Sequence, residues 1–292
     1  MTRHLEPRSW ELIVVDNASS DGVAGELAKW PGEGRFIELE RNYGYGVAAN
    51  RGVELASDEA VVLLNPDTRL VDGSLARLAQ FAMERRCLAG PRISDPDGLP
   101  QPSASGPPVG AWSWLGAVWP GRLQPGAVVA RTEPWRLERS VEVAWLTGAC
   151  VAGPREALQR LGPFEPSIHL YGEDMDLGLR AGSAGLPSYF CPDLARVVHY
   201  GQGSTSQLLP EGPWDLIARN RRAVLRRAFG ARRERAAQAA LVMNLGLRTA
   251  AKRALLRDSA RERAALRAAL RARRVPALPT PEDSTSQSPR GA

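Results

Sequence analysis

Residues 61–67 read Val-Val-Leu-Leu-Asn-Pro-Asp, and no other stretch restricts the fold so tightly. Four consecutive apolar residues make a strand with no polar face. Such a strand needs cover on both sides, which points to the interior of an α/β sheet. Pro66 has no amide hydrogen to offer a neighbouring strand, so the strand ends beside it. Asp67 then stands just past a strand tip, where open α/β sheets bind ligands. A carboxylate there suits a hard divalent cation, which in turn suits a diphosphate. Asn-Pro-Asp is also ordinary turn chemistry, so its meaning depends on its surroundings.

Those surroundings alternate strands with helices. Leu12-Ile13-Val14-Val15-Asp16 is a strand ending in a carboxylate. Asn17 to Gly22 is a polar turn and helix cap, leading into a short helix from Val23 to Trp30. Phe36 to Leu39 is a second strand. Glu40-Arg41-Asn42-Tyr43-Gly44-Tyr45-Gly46 then opens a helix that runs through Asn50 to Gly52. A glycine loop at a helix N-terminus can take phosphate on free backbone N–H groups, although a plain loop would read the same. Ser74 to Arg85 is a further helix. The alternation predicts an α/β fold on a mostly parallel sheet with flanking helices. It sets Asp16 and Asp67 at the tips of different strands.

From Asp95 to Arg139 prolines and glycines dominate, with Trp112, Trp114, Trp119 and Trp135 interspersed. We read an irregular excursion whose tryptophans form a lid, meet an amphiphilic acceptor, or pack as a satellite core. Val143 to Gly153 reads as one buried strand, and Pro154 to Leu161 as a helix with Pro in its first turn. The loop Phe164 to Tyr171 delivers Gly172-Glu173-Asp174-Met175-Asp176-Leu177. Three carboxylates in four positions favour a helix start, but capping accounts for one or two of them. Their repulsion calls for a cation, a base role, or an arginine such as Arg180. Ser188 to Cys191 and Ala195 to His199 are two more strands. A lone histidine is usually structural, but one at a strand end before Gly201-Gln202-Gly203-Ser204 is a better ligand candidate.

These motifs, in this order, resemble the inverting family-two glycosyltransferases of GT-A fold, especially their rhamnosyltransferase-like branch. The resemblance covers about residues 10–230. It implies that Asp16 meets the nucleotide, that Asn42, Gly44 and Asn50 line the donor diphosphate pocket, and that Asp67 holds Mg2+ or Mn2+, with His199 as second ligand. It makes Asp174 the general base and Glu173 the residue that orients the acceptor. The implied reaction moves a sugar, such as rhamnose, from a nucleotide-sugar donor to a glycan or lipid-linked acceptor in cell-surface polysaccharide synthesis. Where the family usually has Asp-x-Asp, this chain has Asn65-Pro66-Asp67, a form that also occurs in this branch. The family also begins with an apolar strand ending in a Thr-Tyr-Asn-like turn. Only Met1 to Glu11 precede the strand ending at Asp16 here, too few for strand, turn and helix. The expectation is that the chain starts inside the fold, with the missing strand encoded upstream. The alternative is a truncated, inactive chain serving as a membrane-associated or interaction subunit.

Charge separates the C-terminal part from the rest. From Asp215 to Arg274, 18 Lys or Arg face 4 Asp or Glu, a net of +14, while the remainder carries a net of −8 within the total of +6. Leucines at helical spacing among these arginines fit an interfacial helix on anionic lipid, a helix packed on the body, or a solvated extension. Nucleic acid is a poorer partner, because no aromatic-and-basic reading module accompanies the charge. The expected domains are a catalytic domain over 1–230, a basic amphipathic helical extension over 231–275 and a disordered tail over 276–292. Cys87, Cys150 and Cys191 are few, odd in number and far apart, which fits a reducing cytoplasm. No apolar run approaches a membrane span. The expected location is the cytoplasm, peripheral to the inner face of the membrane.

Overall fold

The computed structural model describes residues 10–20, 22, 25, 27, 34–119, 124–201 and 213–272. The helix expected at 23–30 lies almost wholly outside the described residues. So do the Gln202-Gly203-Ser204 stretch and the tail at 276–292. The chain divides into two compact units, Met1–Pro107 with Pro125–Gly212, and Pro108–Gln124 with Pro213–Ala292.

The first unit is α/β. Strand β1 (Leu12–Asp16) pairs in parallel with β2 (Gly34–Glu38). Helix α1 (Tyr45–Leu55) follows, then the apolar strand β3 (Ala60–Leu64), β4 (Thr68–Leu70) and helix α2 (Ser74–Arg85). Strands β5 (Leu88–Gly90), β6 (Arg92–Ser94) and β7 (Ala104–Ser105) come next. Later in the chain lie β8 (Val141–Val143), β9 (Trp145–Leu146), β10 (Cys150–Pro154), β11 (Ser188–Phe190) and β12 (Arg196–His199). One sheet has the order β3-β10-β5-β11-β8, and a second has β4-β12-β6.

The pairing is mixed rather than mostly parallel. Strand β10 runs antiparallel to β3, from Cys150 opposite Leu64 to Pro154 opposite Ala60, whereas β11 runs parallel to β5 and β12 to β6. The stretch 143–153, expected as one strand, is broken into pieces of separate sheets. The break leaves Thr147, Gly148 and Ala149 free to turn toward the candidate site.

Two apolar clusters hold this unit. One gathers Val53, Leu88, Leu158, Phe164 and Phe190, and the other Leu78, Ala82, Ile93 and the thiols of Cys87 and Cys191. Burial on this scale is the main force holding strands and helices together. Cys87, Cys150 and Cys191 are all buried and free.

The second unit is helical. Helix α3 (Ala111–Val118) comes from within the Pro/Gly-rich excursion, whose remaining described part holds α4 (Gly126–Thr132) and a 3-10 turn in the first unit. In the first unit α5 (Arg155–Leu161) and α6 (Glu173–Ser183) follow. Helix α7 (Trp214–Ala254) breaks at Gly230, where φ is 78°, and α8 (Ala260–Arg271) packs along it. An ion pair spans the break: Arg222 Nε lies 2.5 Å from Glu234 Oε1, and Glu234 is 1% exposed. A buried carboxylate needs such a partner.

Candidate active site

Strand β3 ends where its amide ladder passes to Ala149, whose carbonyl accepts from the Asn65 N–H at 3.0 Å. Thr68 closes the turn by donating its N–H and hydroxyl to the Asn65 carbonyl, at 3.2 and 2.6 Å. Strand β4 then pairs antiparallel with β12, His199 opposite Thr68. That register brings His199 Nε2 to 3.1 Å from Asp67 Oδ1. The hydrogen bond from His199 holds the Asp67 carboxyl below its usual range, against the opposing effect of burial. Gln101 grips the histidine from behind, with Oε1 3.0 Å from Nδ1 and Nε2 donating to the His199 carbonyl at 2.8 Å.

This pair fits a divalent cation bound to a diphosphate. Among the described residues no three His, Cys, Asp or Glu side chains converge, so the rest of the shell would come from phosphate and water, as is usual for Mg2+. Asn65, two residues before Asp67, carries a buried amide oxygen with no hydrogen-bond partner among the described residues. A hard oxygen left in that state suits a cation or a polar ligand.

The acidic start of α6 resolves into two parts. Asp176 is buried and bound by Arg180 at 2.7 Å. Arg180 also donates to the carbonyls of Leu161 and Pro163, at 2.7 and 2.8 Å, so this pair fastens α6 to the end of α5. Among the described residues Glu173 and Asp174 have no such cation. Burial, then the charge of Asp174, pushes Glu173 up to about 8, and its Oε2 has no hydrogen-bond partner. Burial raises Asp174 as well, opposed by the amides of Met175 and Gly148. Carboxylates raised in this way take up a proton readily.

Tyr45 links these parts, and sequence reasoning missed it. Its hydroxyl donates to the Gly148 carbonyl at 2.8 Å. Burial, then the charges of Glu173, Cys150, Asp174 and Asp67, raise its own proton affinity. The charges of strand tip and helix start therefore both act on one hydroxyl. A Cβ on Gly148 would lie 3.5 Å from Tyr45 Cε1 and 3.7 Å from Asp174 Cβ. Helix α6 is seated hard against β9, where a Cβ on Gly178 would lie 2.4 Å from Trp145 Cβ and 2.7 Å from the Ala144 oxygen.

The remaining expected residues form a second group. Asp16 accepts from the Ser19 N–H at 3.1 Å, as in an Asx turn. Asn17 donates to Asn42 Oδ1 at 3.0 Å and accepts from the Tyr43 N–H at 2.9 Å. Asn42 Oδ1 also accepts from the Gly44 N–H at 2.9 Å. The turn after β1 thus clasps the glycine loop. Gly44, with φ of 91°, lies against His169, whose Nδ1 and carbonyl oxygen would each be 2.7 Å from a Cβ there. No side chain in this conformation would fit. The first turn of α1 has neither a capping side chain nor an acidic residue, an arrangement open to an anion. Asn50 stands apart. Its amide donates to the Phe164 carbonyl and accepts from the Phe164 N–H, both at 2.8 Å, bracing the loop before α6. Gln101 gave no local signal in the sequence, Asn17 was read only as part of a polar turn and cap, and Tyr45 lay in plain view inside the glycine loop.

The chain is similar to known proteins in sequence and in fold. The model of a family described as Glycosyl transferase family 2 matches residues 2–115. The N-acetylglucosaminyl-diphospho-decaprenol L-rhamnosyltransferase of Mycobacterium tuberculosis (strain ATCC 25618 / H37Rv) is 34% identical over 218 residues, 68% of this chain and 69% of that protein. The O-antigen biosynthesis protein RfbC of Myxococcus xanthus is 29% identical over 212 residues, 70% of this chain and 16% of that protein. Among solved structures, the mannosyltransferase PcManGT from Pyrobaculum calidifontis, in complex with GDP-Man and Mn2+, aligns with a TM-score of 0.55 at 17% identity. That alignment covers 91% of this chain and 77% of the other. GalNAc-T7 with UDP, GalNAc and Mn2+ aligns at 0.50 and 20% identity, over 75% of this chain and 42% of that one. The structures agree in fold with the α/β GT-A architecture expected from the motifs, and the mycobacterial relative carries the family assignment: this chain belongs to glycosyl transferase family 2 and is a glycosyltransferase.

Proposed function

We propose that the protein transfers rhamnose, with inversion, from a nucleotide-activated donor to a sugar carried on a polyprenyl diphosphate, in cell-surface polysaccharide synthesis. The observation that carries this reading is the meeting of three elements at residues 148 and 149: Tyr45 donates to the Gly148 carbonyl, Asp174 lies against Gly148, and the turn that carries Asp67 is tied to the Ala149 carbonyl. The donor diphosphate lies over the first turn of α1, beside Gly44 and Asn42, with Asp16 toward the nucleoside. Asp67 and His199 would hold Mg2+ or Mn2+, which when bound would offset charge on the departing nucleoside diphosphate. Asp174 takes the proton of the acceptor hydroxyl as that oxygen attacks the anomeric carbon from the face opposite the diphosphate. Glu173, beside it, orients the acceptor. Asn50 acts by holding the Phe164 backbone.

Among the described residues no helix is long and apolar enough to cross a membrane. The lipid-linked acceptor is met peripherally, at the inner face of the membrane, through the basic helices of the second unit. The test is incubation of the full chain with nucleotide-activated rhamnose, Mn2+ and N-acetylglucosamine on polyprenyl diphosphate, followed by mass spectrometry of the lipid. Gain of one rhamnose, lost in Asp174→Asn, is the expected result. Donor binding without transfer to any lipid-linked sugar would overturn the acceptor assignment.

A further inference from the structure

The second unit carries an exposed apolar surface that lies outside the candidate active site. Of the twelve large apolar side chains exposed among the described residues, eight belong to this unit, so the exposure is concentrated rather than scattered. Trp114, Leu115 and Val118 of α3 and the adjoining Trp119 are exposed. Helix α3 is held by Asn244 of α7, whose Nδ2 donates to the carbonyls of Gly116 and Ala117 at 3.1 and 3.3 Å. One turn further along α7, Leu247 is exposed, followed by Arg248, Lys252 and Arg253.

Leu256 ends α7 in an unusual way. It holds φ of 52°, the Arg257 N–H returns to the Lys252 carbonyl at 2.8 Å, and its own N–H returns to Arg253 at 3.0 Å. This is a helix stop whose left-handed position glycine normally takes. The leucine there is 96% exposed, so neither backbone comfort nor burial in this chain accounts for it.

The charge on this unit has one sign to offer. Its four acids between 215 and 274 are engaged internally: Glu234 by Arg222, Glu262 by Lys252 and Arg248, Asp215 by Arg271, and Asp258 by the Ala260 N–H. The stretch carries a net of +14, and its exposed cations, Arg253 and Arg257 among them, outnumber the acids within it. A second copy set with the same unit face to face would bring like charge against like. A nucleic acid would satisfy the arginines and leave the Trp and Leu side chains in water.

We propose that α3 and the last turns of α7 form a docking face for an anionic lipid bilayer. Trp114 and Trp119 sit at the boundary between headgroups and acyl chains, Leu256 inserts where α7 ends, and the exposed Arg253 and Arg257 meet lipid phosphates. The inference rests on the peripheral-membrane part of the proposed function and adds the face that docks.

The test is co-sedimentation of the full chain with phosphatidylglycerol-containing vesicles, pure phosphatidylcholine vesicles and duplex DNA. Wild type should bind the anionic vesicles, bind the neutral ones little, and release as salt rises. Trp114→Ser with Trp119→Ser should weaken vesicle binding by about tenfold at unchanged charge. Leu256→Gly should weaken it too while raising the melting temperature, an outcome a merely destabilised variant cannot give. Should the tryptophan variant misfold, quenching of wild-type fluorescence by lipids brominated on their acyl chains reads the same insertion. Equal vesicle binding by all variants, binding to DNA but not vesicles, or self-association without vesicle binding would each overturn the proposal. Calorimetry of the same chain with a nucleoside diphosphate and Mn2+ is independent of vesicles, so failure here and failure of the catalytic reading are distinguishable.

Discussion

The Tyr45 hydroxyl donates to the carbonyl of Gly148 at 2.8 Å, and the amide of that same Gly148 faces Asp174. One residue thus joins the helix that opens on the glycine loop to the carboxylate proposed as base. Tyr45→Phe removes the bond and leaves the ring. It should cost about 1 kcal/mol of stability and lower kcat by about tenfold with KM little changed, since position rather than binding is lost. Steady-state kinetics beside a urea titration checks both. A higher KM at full kcat would place Tyr45 on the substrate instead.

The pH dependence follows from Glu173, which burial and Asp174 push from 4.5 up to about 8. A carboxyl whose folded pKa exceeds its unfolded one binds protons better when folded. Its contribution to stability is therefore complete below about 4.5 and lost as pH rises through about 8. Across that window the melting temperature should fall more steeply for wild type than for Glu173→Gln, measured without added divalent ions. Over the same window kcat should rise, because the Glu173–Asp174 pair must shed its proton before Asp174 can accept another. Parallel melting curves for the two proteins would refute the assignment.

Gln101 touches His199 at both its ring and its carbonyl. Removing a group that orients a metal ligand typically costs 10–100-fold in metal affinity. Gln101→Ala should therefore weaken Mn2+-dependent binding of nucleoside diphosphate by about that factor, and Asp67→Asn should remove the Mn2+ dependence altogether. Calorimetry with and without Mn2+ separates these effects from general damage, because the metal-free component should not move.

Asn50 offers a contrast between bracing and binding. Its two bonds to the buried Phe164 backbone predict that Asn50→Ala costs about 2–4 kcal/mol of stability, leaving a buried N–H and C=O unpaired. Urea unfolding measures it. A raised KM for donor at unchanged stability would show instead that Asn50 meets the diphosphate.

The strand tips at Asp16 and Asp67 and the acidic helix start at Glu173 were legible because each is written in consecutive residues. The turn from Leu64 to Asp67 is announced by its own proline, and the helix by three acids in its first turn. The mixed pairing was not legible. The stretch from Val143 to Gly153 is apolar throughout, and nothing in it shows that Gly148 must leave the sheet to meet Tyr45, 103 residues earlier. Helix α3 likewise reads as part of an irregular loop, because Asn244, which holds it, lies 128 residues beyond Gly116. Patterns of period two or four report which face of an element is covered, not which distant element covers it.

Gly178 is the place where α6 and β9 touch without a side chain between them. Packed interiors yield little to an added atom, so a single methyl at that point has nowhere to go except into a shift of the helix. Glu173 and Asp174 ride on the same rigid rod, about one turn away. The spacing between the proposed base and its substrate is therefore calibrated by a hydrogen atom, and Gly178→Ala is expected to switch off the chemistry without altering one polar group.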